Sequence, residues 1–407
     1  MTELRVRVGD FHLGPREKEA IYEVLDKGRL SEGPKVREFE RQWAAYIGTR
    51  HCVATSSGTG ALITALAAIK HAKGLGAGRK VLTTPLTYIA TSSAISAVGW
   101  EPVYVDVDPR TFVITPENVE AHLSGAPDPE RYALILPVHL MGYAADMGRL
   151  LEIGRRYGIP VAEDSAQAHG TLLEGGKAGS LGYFGAFSFY IAHNIQAGEM
   201  GAITTNDAEL ARLARKLKAQ GRACDCPVCV RAEGRCPRLN GRQGDDDYDP
   251  RFTHELIGYN FKTMEFQAAL GLTQLERADW IVAQRQRNAR YLTERLAAYA
   301  EILQLPPYSE AVSYLAYPLV IRRPELISRK RLRRELERLG IETRPLFGCI
   351  PTQQPAYGHL KAEYEGRLPN ADYLGRHAFY VGCHQYLQEA DLAYMVEAFG
   401  RILGRLG

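Results

Sequence analysis

Three short segments rich in polar residues carry the strongest chemical signal, and each follows a β-rich run. The first, residues 54–62, passes from a strand through hydroxyl side chains and glycines into a helix. Free backbone N–H groups at the start of a helix bind anions, so this segment is a candidate phosphate site. An ordinary Ser or Thr helix cap is the alternative, because those residues cap helices in all kinds of protein.

The second segment, residues 161–170, places Glu163 and Asp164 at the carboxyl end of a run typical of a buried strand. Ligands of α/β proteins bind at that edge of the sheet, where one carboxylate could hold a protonated ring nitrogen. A capping aspartate explains the pattern equally well.

The third segment, residues 186–201, is a β run that ends in polar residues and a Gly-Glu-Met-Gly turn. Taken alone, this pattern fits a functional strand end and an ordinary strand-to-loop exit equally well.

A cluster of cysteines forms a separate signal, because four of the seven lie within thirteen residues, at Cys224, Cys226, Cys229 and Cys236. In a long chain without a secretory pattern, such clustering indicates metal or redox chemistry rather than a disulfide framework. Four thiols this close can bind one metal centre, either tetrahedral zinc or an iron–sulfur cluster. A reduced, metal-free loop is the alternative.

The elements that must position these residues follow from the alternation of apolar runs and helical patterns in the first half of the chain. The β-rich runs are nearly all apolar, as in strands covered on both faces. We predict strands at 52–55, 80–84, 102–107, 133–138, 160–163 and 186–190, and helices at 60–73 and 147–157. This alternation predicts an α/β fold with a mostly parallel central sheet.

The composition of the chain changes near residue 220. We interpret residues 221–255, with their cysteines and the acidic run 245–247, as an insertion in a large domain that spans 1–285. A long helical stretch from Met264 to about Tyr299 leads out of that domain. A smaller C-terminal α/β domain is expected over 286–407.

The composition of the chain excludes disorder, collagen and coiled coil as the main architecture. The 407 residues include 45% hydrophobic and 24% charged residues, which is ordinary for a globular chain. The balance of 50 basic against 47 acidic residues gives no argument for a nucleic-acid partner. No apolar run approaches ~18 residues, so we predict no membrane association through a spanning helix. The start of the chain lacks a signal-peptide pattern, and we expect a cytoplasmic protein.

In their order, the three segments resemble the DegT/DnrJ/EryC1/StrS family of sugar aminotransferases and dehydratases. Further matches extend this resemblance over nearly the whole chain, at 30–40, 84–91, 137–142, 258–262 and 267–271. The resemblance implies a type I (aspartate aminotransferase-like) fold and a vitamin B6 cofactor, pyridoxamine 5′-phosphate or pyridoxal phosphate. It also implies a nucleotide-sugar substrate and a homodimer with shared active sites.

The resemblance assigns roles to individual residues. Asp164 would pair with the pyridine nitrogen of the cofactor, Tyr88 would stack on its ring, and Gln167 would lie near the ring oxygen. Core packing is the alternative for Tyr88 and Gln167. The phosphate would be held by backbone and side-chain groups of Ser57, Gly58, Thr59, Ser188 and, from a neighbouring subunit, Asn260.

One position departs from the aminotransferase pattern. Three residues after Tyr190, an aminotransferase of this family carries a lysine that bonds covalently to the cofactor, and here that position is His193. Imidazole cannot form that bond, but it can act as a general base near neutral pH. The substitution resembles the subgroup of 3-dehydratases that act on nucleotide-linked 4-keto-6-deoxyhexoses with untethered pyridoxamine 5′-phosphate.

The sequence therefore predicts a 3-dehydratase with His193 as the catalytic base. Two alternatives stay open. In one, another lysine such as Lys177 or Lys262 serves an aminotransferase-like enzyme. In the other, the chain is a non-catalytic regulatory or binding homologue.

The cysteine insertion resembles that of reductase-coupled 3-dehydrases, which ligate a [2Fe–2S] cluster. Cys224, Cys226 and Cys236 resemble three of those ligands, whereas the fourth ligand position holds Ser165 here, so Cys229 would have to replace it. A cluster implies an electron-transfer reductase as partner. Without one, the resemblance is to dehydratases that use glutamate to regenerate the aminated cofactor.

Overall fold

The structure is a computed structural model that describes residues 4–226, 236–239 and 248–405. No helix in these ranges is long and apolar enough to cross a membrane. The helices are Pro15–Lys27 (α1), Pro34–Ile47 (α2), Gly58–Ala72 (α3), Ala90–Ala97 (α4), Pro116–Gly125 (α5), Met147–Tyr157 (α6), Ala208–Leu217 (α7), Glu265–Leu275 (α8), Ala278–Leu296 (α9), Arg329–Arg338 (α10), Ile350–Gln353 (α11), Lys361–Tyr364 (α12), Pro369–His377 (α13) and Glu389–Leu403 (α14).

The strands are short, with two to five residues each. They are His51–Thr55 (β1), Lys80–Thr83 (β2), Glu101–Tyr104 (β3), Tyr132–Leu136 (β4), Glu163–Asp164 (β5), Leu172–Leu173 (β6), Gly176–Lys177 (β7), Gly185–Ser188 (β8), Gly201–Thr205 (β9), Leu303–Gln304 (β10), Tyr317–Ile321 (β11), Thr343–Pro345 (β12) and Ala378–Val381 (β13).

The central sheet has the order β3-β2-β4-β5-β8-β9-β1. Two hydrogen-bonded groups, β3-β2-β4 and β5-β8-β9-β1, are joined by parallel bridges from Ile135 to Val161 and from Val138 to Asp164. All neighbours from β3 to β8 run parallel, whereas β9 runs antiparallel to both β8 and β1. The predicted mostly parallel sheet is therefore confirmed, with β9 as its single reversed strand among the described residues.

Helices cover both faces of this sheet. Successive side chains of a strand point to opposite sides, so neighbouring residues pack in different cores. Ala186 belongs to a core with residues of α3, α4 and α7. The next residue, Phe187, belongs to a core with Phe39 and Trp43 of α2. The apolar runs seen in the sequence thus reflect strands that are buried on both faces.

The C-terminal part forms a second, antiparallel sheet in the order β10-β11-β13-β12. It packs with residues of α10 and α14 in the largest core of the molecule. The predicted helical stretch from Met264 to Tyr299 is two helices, since α8 ends at Leu275 and α9 begins at Ala278. The predicted domain boundary at residue 285 falls inside α9 and stays a prediction.

The ends of the 221–255 insertion pair with each other where it leaves the large domain. Arg222 forms an antiparallel bridge with His254, and the Ala223 N–H donates to the Thr253 carbonyl at 2.8 Å. Gly221 has φ +73°, and a Cβ there would lie 1.9 Å from the Leu256 carbonyl oxygen. The insertion therefore begins and ends at one closed stem, which requires glycine at its first position.

Candidate active site

Asp164 is a buried carboxyl group at the carboxyl end of β5. Thr91 Oγ1 donates to its Oδ2 at 2.8 Å, and the Ala166 N–H donates to its Oδ1 at 3.2 Å. Burial raises the pKa of the Asp164 carboxyl, and the two hydrogen bonds act in the opposite direction. No lysine or arginine of the described chain forms an ion pair with it. This site therefore fits a ligand that brings a cationic N–H.

Glu163, the other member of the acidic pair, is used structurally. It accepts the Gly179, Leu181 and Gly182 N–H groups at 2.8, 2.8 and 2.7 Å. Its Oε2 also lies 2.9 Å from Nε2 of the buried His139, whose Nδ1 accepts the Ala145 N–H. This carboxylate is fully satisfied by protein donors, so of the acidic pair only Asp164 is available to a ligand.

Gln167 is oriented by a backbone donor. Its Oε1 accepts the Met141 N–H at 3.0 Å, and the described residues give its side-chain NH₂ no hydrogen-bond acceptor. Met141 has φ +57°, a conformation uncommon for a residue with a side chain, and its carbonyl accepts the Leu315 N–H at 3.1 Å. A strained backbone held at such a position is typical of a functional site.

Tyr88 presents its ring to solvent, with 60% of the residue exposed. Its ring meets Phe347 edge-on at 5.9 Å, and its carbonyl accepts the Thr91 N–H. The core-packing alternative is therefore wrong for Tyr88. Gln167, which is buried and bonded to Met141, remains compatible with either interpretation.

The start of α3 forms a compact cradle. Ser57 caps this helix by accepting the Gly60 N–H at 3.0 Å, so the predicted helix-cap alternative is correct for that hydroxyl. Gly58 and Thr59 follow as the first helical residues, whose N–H groups have no acceptor within the helix. A Cβ on Gly58 would lie 2.5 Å from Ser188 Cβ, so glycine lets the Ser188 hydroxyl approach the helix start. The cradle fits a phosphate.

Asn260 lies in an exposed segment that passes beside this cradle. The Ser56 N–H donates to the Phe261 carbonyl at 2.8 Å, and Lys262 Nζ donates to Asn260 Oδ1 at 2.6 Å. Nearby, Phe252 and Ile257 are 76% and 94% exposed. The predicted approach of Asn260 to a neighbouring subunit's site stays a prediction.

His193 follows the end of β8 in a turn closed by its N–H donating to the Tyr190 carbonyl at 2.9 Å. Its Nδ1 is buried, and the described residues offer it no hydrogen-bond partner. The rings of His169 and Tyr190 lie 6.0 and 6.1 Å away. Burial and the nearby Arg285 guanidinium lower the pKa of His193 to about 4. The imidazole is therefore uncharged at neutral pH and able to accept a proton.

The two lysines considered as substitutes have other partners. Lys177 Nζ donates to the Tyr46 carbonyl at 2.7 Å and lies 3.9 Å from the centre of the Tyr46 ring. Lys262 is bonded to Asn260, and burial lowers its pKa.

Three of the four clustered cysteines are described, whereas Cys229 lies outside the described residues. Burial and the neighbouring Cys224 raise the pKa of the Cys226 thiol, so these two thiols lie close together. In the ranges that the structure covers, no group of three or more His, Cys, Asp or Glu side chains could hold a metal ion. The described thiols alone do not form a metal site, and the four-cysteine centre stays a prediction.

One group of this region, the buried Arg285 of α9, was not predicted from the sequence. Its signal was available, because Arg285 falls in register with the apolar residues Ile281, Ala289 and Leu292 of the same helix face. A charged residue within such a face is rarely buried without a reason.

Comparison with known proteins places this geometry in context. The profile of the DegT/DnrJ/EryC1/StrS aminotransferase family matches residues 12–400. GDP-perosamine synthase of Caulobacter vibrioides is 33% identical over 407 residues, which covers 99% of this chain and 100% of the relative. The dTDP-4-dehydro-2,6-dideoxy-D-glucose 3-dehydratase of Saccharopolyspora spinosa is 30% identical over 401 residues, covering 96% and 84%.

Solved structures agree with these matches. An aminotransferase from Psychrobacter cryohalolentis superimposes with a TM-score of 0.83 at 28% identity, covering 97% of this chain and 98% of the other. The E coli GDP-4-keto-6-deoxy-D-mannose-3-dehydratase with bound hydrated PLP gives a TM-score of 0.85 at 24% identity, covering 97% and 99%. The predicted type I fold is confirmed.

Proposed function

Because this chain belongs to the DegT/DnrJ/EryC1/StrS aminotransferase family, we propose that it is a vitamin B6-dependent enzyme acting on a nucleotide-linked sugar. The proposed reaction is a pyridoxamine 5′-phosphate-dependent 3-dehydration of a 4-keto-6-deoxyhexose. The observation that carries this choice is His193, a neutral imidazole at the position where an aminotransferase needs its lysine.

The residues around the site support the choice of cofactor. Asp164 would hold the ring nitrogen and keep its proton, Gln167 would donate to the ring oxygen, and Tyr88 would cover one face of the ring. The α3 cradle with Ser188 would bind the phosphate. When bound, the cofactor supplies an amine that condenses with the sugar ketone and a ring that stores an electron pair.

His193 would move protons at two atoms. As an uncharged imidazole it would take the proton from the cofactor's C4′ carbon, and as the imidazolium so formed it would protonate the C3 oxygen that leaves as water. The same residue thus acts as base and then as acid, and no net proton is gained or lost by the enzyme.

The relatives favour a second candidate, an aminotransferase-like reaction. GDP-perosamine synthase is 33% identical to this chain, whereas the 3-dehydratase relative is 30% identical, so identity alone does not choose between the reactions. The partners of Lys177 and Lys262 argue against this candidate, because both amines are hydrogen-bonded within the described chain.

A homodimer with shared active sites belongs to the same proposal. It is supported by the exposed apolar side chains of Phe252 and Ile257, which flank the segment that carries Asn260. A metal centre on Cys224, Cys226, Cys229 and Cys236, served by an electron-transfer reductase, is proposed only as an accessory, and no step of the dehydration is assigned to it.

The test uses purified protein loaded with pyridoxamine 5′-phosphate and a panel of GDP-, CDP- and dTDP-linked 4-keto-6-deoxyhexoses. The wild type is expected to exchange the C4′ proton with D₂O and to release water from the sugar. His193→Asn should bind the cofactor and lose both activities by roughly 10²–10⁴-fold.

Two results would refute the proposal. One is covalent fixation of pyridoxal phosphate to the wild type by borohydride together with amino transfer as the only reaction, which would establish the aminotransferase candidate. The other is no C4′ exchange with any sugar while the cofactor is bound, which would establish a non-catalytic homologue.

A further inference from the structure

Arg285 is a fully buried guanidinium whose charge acts on His193. Its Nε donates to Gln385 Oε1 at 3.1 Å, and its Nη1 donates to the Tyr314 and Leu315 carbonyls at 3.1 and 2.7 Å. Its Nη2 is buried without a hydrogen-bond partner among the described residues. Every acceptor it has is neutral.

This guanidinium therefore has no counter-ion among the residues that the structure describes. No carboxylate in the described part of the chain lies within ion-pair distance of it, and the side chain that meets its Nε is an amide. Burial of an unpaired charge is costly, and proteins usually provide a carboxylate or omit the charge. Burial here lowers the pKa of Arg285 only to about 10, so the group remains charged at neutral pH.

The two carbonyl bonds tie Arg285 to the backbone that supports the active site. Tyr314 has φ +47°, so its carbonyl is held in an uncommon conformation. The preceding carbonyl, of Ser313, accepts Asn194 Nδ2 at 2.9 Å, directly after His193 in the chain. The following N–H, of Leu315, donates to Met141, whose own N–H holds Gln167. Arg285 thus fixes one short segment that contacts both sides of the site.

Several titratable groups surround His193 and Arg285. His169 and Tyr190 face the His193 ring, and His384, Cys383 and Tyr386 lie around the guanidinium, with Asp10, His12 and Asp391 beyond His384. Of the charged groups in this set, Arg285 is the one that acts on the pKa of His193. Burial, then the charges of His193 and Arg285, lower the pKa of His169, and burial with Arg285 lowers that of His384 to about 4.

We propose that Arg285 is a positioning residue for His193: its bonds to Tyr314 and Leu315 fix the segment that seats the His193 turn, and its charge, which has no carboxylate partner among the described residues, disfavours a second positive charge on the imidazole. This inference rests on the proposed role of His193 as the base. It concerns only the charge state and placement of the ring, however, and is tested without turnover.

Gln385 offers a sharp test, because its Oε1 already accepts from Arg285 and its Nε2 is buried without a partner in the described residues. Gln385→Glu keeps the shape and the acceptor, sacrifices no hydrogen bond, and supplies the missing counter-ion. Gln284→Glu is the matched control, since it adds the same charge one residue before Arg285 on the partly exposed side of α9.

The measurement is the pH titration of His193 in cofactor-free protein, monitored by NMR of ¹³C-labelled histidine. The His193 signal is assigned by its loss in His193→Asn. Gln385→Glu is expected to raise the His193 midpoint by about one pH unit or more, a tenfold change in the ratio of the two forms. Gln284→Glu and Arg285→Lys should leave it unchanged, and Arg285→Gln should raise it.

A His193 midpoint that stays within half a pH unit of wild type in folded Gln385→Glu protein would overturn the proposal, even if Arg285→Gln fails to fold. A wild-type midpoint at or above the ordinary value for histidine would overturn it as well. Neither outcome depends on dehydration, so loss of the proposed reaction and loss of this role are separable. In an active enzyme, the acidic limb of kcat/KM should move with the midpoint.

Discussion

The hydrogen bond from Thr91 to Asp164 gives the most direct test of the cofactor site. Thr91→Val keeps the shape of the side chain and removes the hydroxyl that donates to Asp164 Oδ2 at 2.8 Å. Within the described ranges, the Asp164 carboxylate then retains one hydrogen bond, from the Ala166 N–H at the longer distance of 3.2 Å. The carboxylate loses its better donor while it stays buried.

The size of the effect follows from the chemistry of that bond. A hydrogen bond to a charged group contributes about 1.5–3 kcal/mol, and its loss raises the Asp164 pKa because the bond favours the ionised carboxyl. Burial already raises this pKa, so the change moves the carboxyl further toward its protonated form. Only the ionised form can pair with a protonated ring nitrogen, and we expect cofactor affinity to fall about tenfold or more.

The assay is titration of the apoenzyme with pyridoxamine 5′-phosphate, followed by protein fluorescence at pH 6 and pH 8. The loss of affinity should be larger at pH 6, because a raised pKa leaves less carboxylate at the lower pH. Thr87→Val is the matched control, since Thr87 Oγ1 lies 3.1 Å from Thr91 Oγ1 and has no bond to Asp164. Wild-type affinity of Thr91→Val at both pH values would refute the reasoning.

Three further predictions concern the charge of Asp164, the cysteines and acid stability. Asp164→Asn should fold normally and lose turnover, and activity within a few-fold of wild type would exclude the assigned role. Anaerobically purified protein should contain iron with acid-labile sulfide, or zinc; a full set of free thiols without metal would contradict the four-cysteine centre. His193 and His384 have pKa values of about 4 in the folded protein against an ordinary 6.5, so the unfolded chain takes up their protons first as pH falls. The free energy of unfolding should therefore decline between about pH 6.5 and pH 4, by up to about 3 kcal/mol for each histidine. The raised pKa of Asp164 partly offsets this loss. A free energy of unfolding in urea that stays constant across this pH range would disprove the prediction.

Much of the fold was predictable because its signals are local. Apolar runs identified the strands of the parallel part of the sheet, and the order of the polar segments identified the fold. The strand β9 was not among the predicted strands, and its direction could not be predicted, since a strand's sequence carries no mark of whether its neighbours run parallel or antiparallel to it. The break between α8 and α9 was also missed, because Glu276 and Arg277 are good helix formers whose conformation is set by packing.

At the site, the sequence indicated which residues are candidates for binding and catalysis. It did not indicate which groups each of them contacts. Glu163 and Asp164 are adjacent and chemically alike, and only the pleat of β5 separates a structural carboxylate from an available one. The contribution of Arg285 depends on the absence of a counter-ion at contacts with Gln385 and Leu315, which lie far away in the chain. Such absences have no sequence signature.

The closed stem of the insertion has an evolutionary consequence. Arg222 pairs with His254, and the Cys224 N–H donates to the Pro250 carbonyl, so both ends of the insertion are joined at its stem. For a flexible loop that starts and ends at such a stem, doubling the length of the loop costs only about 0.6 kcal/mol of loop-closure entropy. An ancestral protein could therefore gain, lengthen or lose an insertion at this stem without a change in the fold of the large domain. The proposed reaction at His193 and the proposed metal centre of the insertion could then be selected as separate traits.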